Sequence, residues 1–211
     1  MSMRRLVIDC ATPALSVALF EGDQCIDSHH RELGRGHAEA LLPAIAALPE
    51  GGRAAEILVD IGPGSFTGVR IGLAAAVALG FAWQAKVNGY GCLDLVAAMV
   101  RARFAPEADF PVVMVGGHGE LFWAIYEPAA SATPAAVRST PIAELAATLN
   151  HAIVYGTGAQ TLVDARGGRG DAVMLLPDAR LVGLLAEPLR TLPPRPNYGR
   201  GADAKPMVPA G

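Results

Sequence analysis

The chain has 211 residues, 52% of them hydrophobic, and a formal net charge of −3 at pH 7. This size suits one large domain or two small ones, and the acidic balance argues against strong, direct binding of nucleic acid through a basic face. No apolar run reaches the roughly 18 residues of a membrane span, and Gly72 and Gly80 break the longest one. Three widely spaced cysteines and a start without an apolar leader favour a reduced, cytoplasmic chain.

The first hundred residues predict an α/β unit in which three strands precede alternating helices and strands. Two of those strands form a hairpin that turns at residues 21–23. The predicted strands are 5–9, 14–20, 24–31, 57–61 and 86–90, and the predicted helices are 36–48, 71–83 and 93–103.

Residues 106–109 indicate a boundary, after which the same pattern restarts in a reduced form. We predict a hairpin, a helix that begins at Pro141 behind Thr140 as its cap, and two further strand–helix pairs. The predicted strands are 111–115, 121–127, 152–155 and 173–175, and the last helix is 179–189. The chain therefore reads as a duplicated α/β unit, with one half at 1–105 and a shortened half with a Pro/Gly-rich tail at 106–211.

The stretch 62–72, GPGSFTGVRIG, stands at a strand-to-helix turn. Gly62 and Gly64 allow backbone angles that a side chain would forbid, and Ser65 or Thr67 can cap the helix. The exposed amides of a helix start, with Arg70 nearby, could hold an anion, although the spacing matches neither the P-loop nor the dinucleotide fingerprint. Packing of this turn and anion binding by it both stay open at this stage.

The same eleven residues resemble the signature of the TsaB (YeaZ) family, bacterial proteins that help to install threonylcarbamoyl on the tRNA adenosine beside the anticodon. Four other segments are similar to that family: 6–12 (LVIDCAT), 33–43 (LGRGHAEALLP), 119–126 (GELFWAIY) and 198–206 (YGRGADAKP). The resemblance implies an α/β chain with the actin-like ATPase (ribonuclease H-like) fold, which also underlies sugar kinases and Hsp70.

The resemblance further implies a non-catalytic scaffold subunit of tRNA threonylcarbamoyladenosine synthesis. Such a subunit would bind the catalytic transferase subunit TsaD, with the ATPase TsaE joining, would reach tRNA only indirectly, and would form a homodimer when alone. It implies neither a cofactor nor a metal. We expect two helices to carry the partner interface, at His37, Leu41, Leu42, Ile45, Val69 and Leu73.

Active members of this fold hold nucleotide phosphates in the loop after the first strand. Asp9 and Thr12 remain there, but Cys10 and Ala11 stand where the family commonly has Thr and Ser. A vestigial nucleotide or anion site would comprise Asp9, Thr12, Gly62, Gly64, Ser65, Thr67, Gly68 and Arg70. An active ATPase or phosphotransferase of the actin-like fold is the alternative function.

Two further departures bear on activity. The chain has no His-x-x-x-His spacing, by which the family's catalytic relative is expected to bind its metal. Residues 115–118 read VGGH where the family usually has Asp-Ala-Arg-Arg, so a carboxylate and two positive charges are missing from the second hairpin.

Overall fold

Two five-stranded mixed sheets with the same internal strand order form the frame of the protein. The structure, a computed structural model, describes residues 3–197 and 199. The family-like segment 198–206 lies outside the described residues except for Gly199.

The first sheet has the order β3-β2-β1-β4-β5, in which β1 runs antiparallel to β2 and parallel to β4. Its central strands are buried on both faces, as their nearly continuous apolar sequences require. The strands are β1 (Arg4–Asp9), β2 (Ala14–Glu21), β3 (Gln24–Glu32), β4 (Glu56–Asp60) and β5 (Lys86–Tyr90).

The second sheet has the order β10-β9-β6-β7-β8 and repeats the strand directions of the first. Its strands are β6 (Phe110–Gly117), β7 (Glu120–Tyr126), β8 (Arg138–Pro141), β9 (Ile153–Tyr155) and β10 (Asp171–Val173). When the strands of each half are counted in chain order, the first strand pairs with the second and the fourth in both sheets, and the third and fifth strands form the edges. This duplicated order confirms the predicted actin-like fold class.

The helices cover these sheets, and α2 lies along the strands of the first one. They are α1 (His37–Ala46), α2 (Phe66–Trp83), α3 (Cys92–Phe104), α4 (Ile142–Thr148) and α5 (Ala159–Ala165). Short 3₁₀ helices occupy Pro49–Gly52, Ala179–Leu184 and Glu187–Arg190.

A ridge of small residues seats α2 on the first sheet. Gly68, Gly72, Ala76 and Gly80 recur every four residues, and all four are buried. By length and composition alone α2, with 18 residues and a mean hydropathy of 1.5, could cross a membrane, contrary to our expectation from the sequence. One third of this helix is buried, and that third includes the ridge by which α2 packs on the first sheet.

Three boundaries differ from the sequence prediction. The helix predicted at 179–189 is two 3₁₀ segments, which the extended backbone of Leu185 and Ala186 separates. Thr140 does not cap α4: it lies in β8, a strand that was not predicted, and its hydroxyl accepts a hydrogen bond from the Trp123 indole at 2.9 Å. The last strand is Asp171–Val173 rather than 173–175.

The segment after β10 returns to the first sheet. Val182, Leu185 and Leu189 pack with Val7 and Phe20 on the sheet face opposite α2. The Ala179 amide also donates to the Ser16 hydroxyl at 3.0 Å. The proposed division at 105/106 stays a prediction, and this returning segment links the two halves.

Candidate functional site

The candidate site lies where β1 and β4 end side by side, because parallel neighbours carry their carboxyl ends to the same sheet edge. The loop 10–12 follows β1, and the glycine turn 62–65 follows β4. In an open α/β sheet this edge is where ligands bind.

The glycine turn packs directly against the loop 10–12. A Cβ atom on Gly64 would overlap the carbonyl oxygen of Ala11, and one on Gly68 would overlap that of Cys10. The Ser65 amide donates to the Ala11 carbonyl at 2.7 Å. Loop carbonyls therefore occupy the start of α2, where an anion would have to lie.

Of the two candidate caps, Ser65 is the one used. Its hydroxyl accepts a hydrogen bond from the Gly68 amide at 3.2 Å, whereas Thr67 is exposed in the first turn. Arg70 is also exposed and lies over the Phe66 ring, 3.6 Å from its centroid. The structure thus brings the glycines and Ser65 to the β1 loop but leaves Thr67 and Arg70 on the outer side of α2.

Two buried carboxyl groups hold the two loops. Asp9 accepts a hydrogen bond from the Ala11 amide at 3.3 Å, and Asp60 accepts one from the Gly62 amide at 2.7 Å. The Tyr90 hydroxyl donates to Asp9 at 2.9 Å. Both carboxyl groups are almost completely excluded from water. Thr12 is also buried, and its hydroxyl accepts a hydrogen bond from the amide of Ala14, two residues further along the chain, at 3.3 Å.

Burial favours the neutral form of both carboxyl groups. Burial raises the pKa of Asp9 well above its usual range, and the neighbouring Asp60 charge raises it further. Burial likewise raises the pKa of Asp60 to about 6, although bonds from the Gly62 amide and from Asp9 oppose the shift. Burial also raises the pKa values of the Cys10 and Cys92 thiols, so both stay protonated. Among residues 3–197 and 199 there is no group of three His, Cys, Asp or Glu able to hold a metal ion.

Sequence reasoning selected Asp9 but missed its partners Asp60 and Tyr90. A signal existed, because both aspartates end buried apolar strands that run parallel in the predicted sheet. Tyr90 ends the next strand along, at the same edge. A polar residue at each of three neighbouring strand ends indicates a shared polar cluster.

The second half repeats the closed turn. Gly156 and Gly158 follow β9 as the first glycines follow β4, and a Cβ on Gly156 would overlap the Val113 carbonyl. The Gly158 amide donates to that same carbonyl at 2.9 Å. At the divergent hairpin, the Val115 amide donates to the Thr157 hydroxyl at 3.2 Å.

The residues expected at a partner interface separate into a buried set and one exposed member. Leu42 is 54% exposed, whereas the rest face the protein's own interior. The buried members are His37, Leu41, Ile45, Val69 and Leu73. The prediction did not include the apolar side chains that α2 exposes, which are Phe66 (55% exposed), Val77 (54%) and Phe81 (89%). The interface itself stays a prediction, now centred on Leu42 and these three.

The fold and the site define an actin-like α/β protein in which the glycine turn packs closely against the loop that follows the first strand. A family model described as "TsaD: tRNA N6-adenosine threonylcarbamoyltransferase" matches residues 28–157. The chain belongs to this family and, within it, to the TsaB (YeaZ) group.

Individual relatives agree with this assignment. The chain is 35% identical over 134 residues to the tRNA threonylcarbamoyladenosine biosynthesis protein TsaB of Escherichia coli, covering 59% of this chain and 55% of that protein. It is 32% identical over 101 residues to TsaB of Bacillus subtilis, covering 46% and 44%. The matches thus span about half the length of these curated relatives.

Two solved structures from Pseudomonas aeruginosa have the same fold. One is an uncharacterized protein with similarity to peptidase YEAZ, at a TM-score of 0.71 and 27% identity, covering 95% of this chain and all of that one. The other is YeaZ, at a TM-score of 0.66 and 26% identity, covering 87% of this chain and 89% of that one.

Proposed function

We propose that this chain is a non-catalytic scaffold subunit of tRNA threonylcarbamoyladenosine synthesis and that it binds the catalytic subunit TsaD. The observation that carries the proposal is the closed glycine turn, in which Gly64 and Gly68 lie against the carbonyls of Ala11 and Cys10. The names of the relatives supply the pathway.

The local chemistry argues against the alternative of an active ATPase or phosphotransferase. Phosphate binding at a helix start needs free amides and space for the oxygens. Here the Ser65 amide is bonded to a carbonyl, and the Gly68 amide is bonded to the Ser65 hydroxyl. Asp9, whose pKa burial raises well above its usual range, is also a poor ligand for a nucleotide's magnesium ion, which prefers ionised carboxylates.

The outer face of α1 and α2 supports partner binding. Leu42, Phe66, Val77 and Phe81 are each more than half exposed, and Arg70 is the one charged residue within α2. Exposed apolar patches of this kind often mark protein interaction sites. We propose that this face binds TsaD, that it pairs with a second copy when the chain is alone, and that TsaE joins the complex in the cytoplasm.

The first test is co-elution with TsaD on size exclusion, with tRNA modification by TsaD and TsaE as a second readout. We expect Leu42→Glu and Phe81→Glu each to weaken binding by roughly thirtyfold or more, because a charge placed in a central contact costs on the order of 2 kcal/mol. Met174→Glu is the matched control, since Met174 is 59% exposed and follows an edge strand of the second sheet. Intact co-elution of both helix variants, with circular dichroism unchanged, would exclude this face.

A second test addresses catalysis. We expect the purified chain to hydrolyse no ATP above background and to leave tRNA unmodified without TsaD. ATP turnover that disappears in the Asp9→Ala variant would instead establish the ATPase alternative.

A further inference from the structure

A pocket of about 280 Å³ opens in the second half, and no residue of either glycine turn lines it. It lies between the end of α4 and the loop 166–170, RGGRG, which joins α5 to β10. The polar groups along its wall come from Asn150, His151, Arg166 and Arg169, and Gly170 completes the loop side.

Arg166 is partly structural. Its guanidinium donates to the carbonyl of His151 at 3.0 Å and to that of Leu149, just beyond the last turn of α4. Only 8% of the residue is exposed, and its Nε is buried without a hydrogen-bond partner. Its bonded partners are therefore neutral carbonyls, which cap the helix end but do not cancel the charge.

Arg169 adds a second positive charge on the same wall. Its Nε donates to the Arg166 carbonyl at 3.0 Å, and none of the hydrogen bonds found in the described part of the chain uses its two terminal nitrogens. Neither arginine forms an ion pair with a described residue, and no carboxylate lines the pocket. Asp164, nearby in the chain, accepts instead from the Gln160 amide at 2.8 Å.

This charge balance is unfavourable without a counter-ion. Burial lowers the pKa of Arg166, and the nearby charge of Arg169 lowers it further. A buried cation without an opposite charge is costly, and natural proteins pair such groups. The Nδ1 atom of His151 is also buried without a partner, so a second polar group at the pocket is unsatisfied.

We propose that this pocket binds a phosphate group, either as free phosphate or as the phosphate of a small monoester. Planar guanidinium groups suit phosphate because they offer paired N–H donors to its oxygens. Arg169 would supply the mobile contact with its terminal nitrogens, while Arg166 supplies fixed charge from the wall. This site is independent of the scaffold role and of the α1–α2 face.

The test is isothermal titration of the full chain with inorganic phosphate and, separately, with glycerol 3-phosphate, using glycerol as the uncharged reference. We expect Arg169→Ala to weaken phosphate binding by about tenfold or more and Arg169→Lys to retain part of it. Arg166 is left unchanged because it caps α4. Arg53→Ala is the matched control, an exposed arginine of the first half with the same loss of charge.

The relative affinities for the two ligands identify what the pocket binds. Tighter binding of glycerol 3-phosphate than of phosphate assigns the site to a monoester, and equal binding assigns it to the phosphate group alone. Shifts of the amide signals of residues 150–152 and 170 on titration would locate the site by nuclear magnetic resonance. Absence of binding to either ligand overturns the proposal, and so does an equal loss in Arg53→Ala and Arg169→Ala.

Discussion

A single methyl group at Gly68 should separate α2 from the loop that follows β1. The added Cβ would overlap the Cys10 carbonyl, which is backbone and cannot rotate away. Overpacking of this kind costs about 1–3 kcal/mol, and displacing the helix also endangers the Ser65–Ala11 hydrogen bond, worth about 1 kcal/mol. Alanine recovers roughly 1 kcal/mol of helix propensity. We therefore expect Gly68→Ala to lower the free energy of unfolding by about 2 kcal/mol.

Gly72, one turn further along the same ridge, provides the control. A Cβ there would meet Cys10 and Val59 side chains at 3.6 Å, which is ordinary van der Waals contact. Gly72→Ala should therefore be neutral or stabilise the protein by up to about 1 kcal/mol, since it adds helix propensity and a buried methyl group.

Urea denaturation of both variants, followed by far-ultraviolet circular dichroism, measures the difference. We expect the two free energies of unfolding to differ by about 2–3 kcal/mol, with unchanged m-values. Equal effects of the two substitutions, or a larger loss in Gly72→Ala, would refute the close contact between Gly68 and the β1 loop.

Two further predictions concern the same region. Because burial raises the pKa of Asp9, and that of Asp60 from 3.8 to about 6, the folded state binds more protons than the unfolded state. The free energy of unfolding should therefore fall as the pH rises from about 4 through 6, and it should fall less steeply in the Asp9→Asn variant. Urea denaturation at several pH values in this range measures the slope for both proteins. Equal slopes for the variant and the unchanged protein would contradict the prediction. Ser65→Ala should cost about 1 kcal/mol through loss of the helix cap, whereas Thr67→Ala should cost little. Thermal unfolding of the two variants tests this, and equal losses would remove Ser65 as the cap.

Much of the frame could be predicted because buried strands and small-residue ridges leave strong local patterns. The ridge from Gly68 to Gly80 was readable from its spacing of four residues. The role of the glycine turn could not be read from the sequence, because the carbonyl groups that pack against its glycines belong to Cys10 and Ala11, which are far away in the chain. Spacing shows that a glycine is needed without showing what approaches it.

The interface residues show a second limit. Leu41 and Leu42 are neighbours on an amphipathic helix, but successive residues point about 100° apart, so one is buried and the other is exposed. The sequence cannot tell which part of the apolar stripe meets the protein's own sheet. The strand Arg138–Pro141 carries polar residues and no alternation, and it forms because β7 offers its edge. Such a strand has no local signal.

The returning segment near the carboxyl end has a consequence for synthesis on the ribosome. The face of the first sheet that includes Val7 and Leu58 is covered by side chains as late as Leu189. At translation rates of about 5–20 residues per second, the chain from the end of α3 to that leucine takes on the order of 5–15 seconds to emerge. During this interval the nascent first sheet exposes the part of this face that α3 does not cover, and a chain interrupted before residue 179 keeps that part open to chaperones and to aggregation.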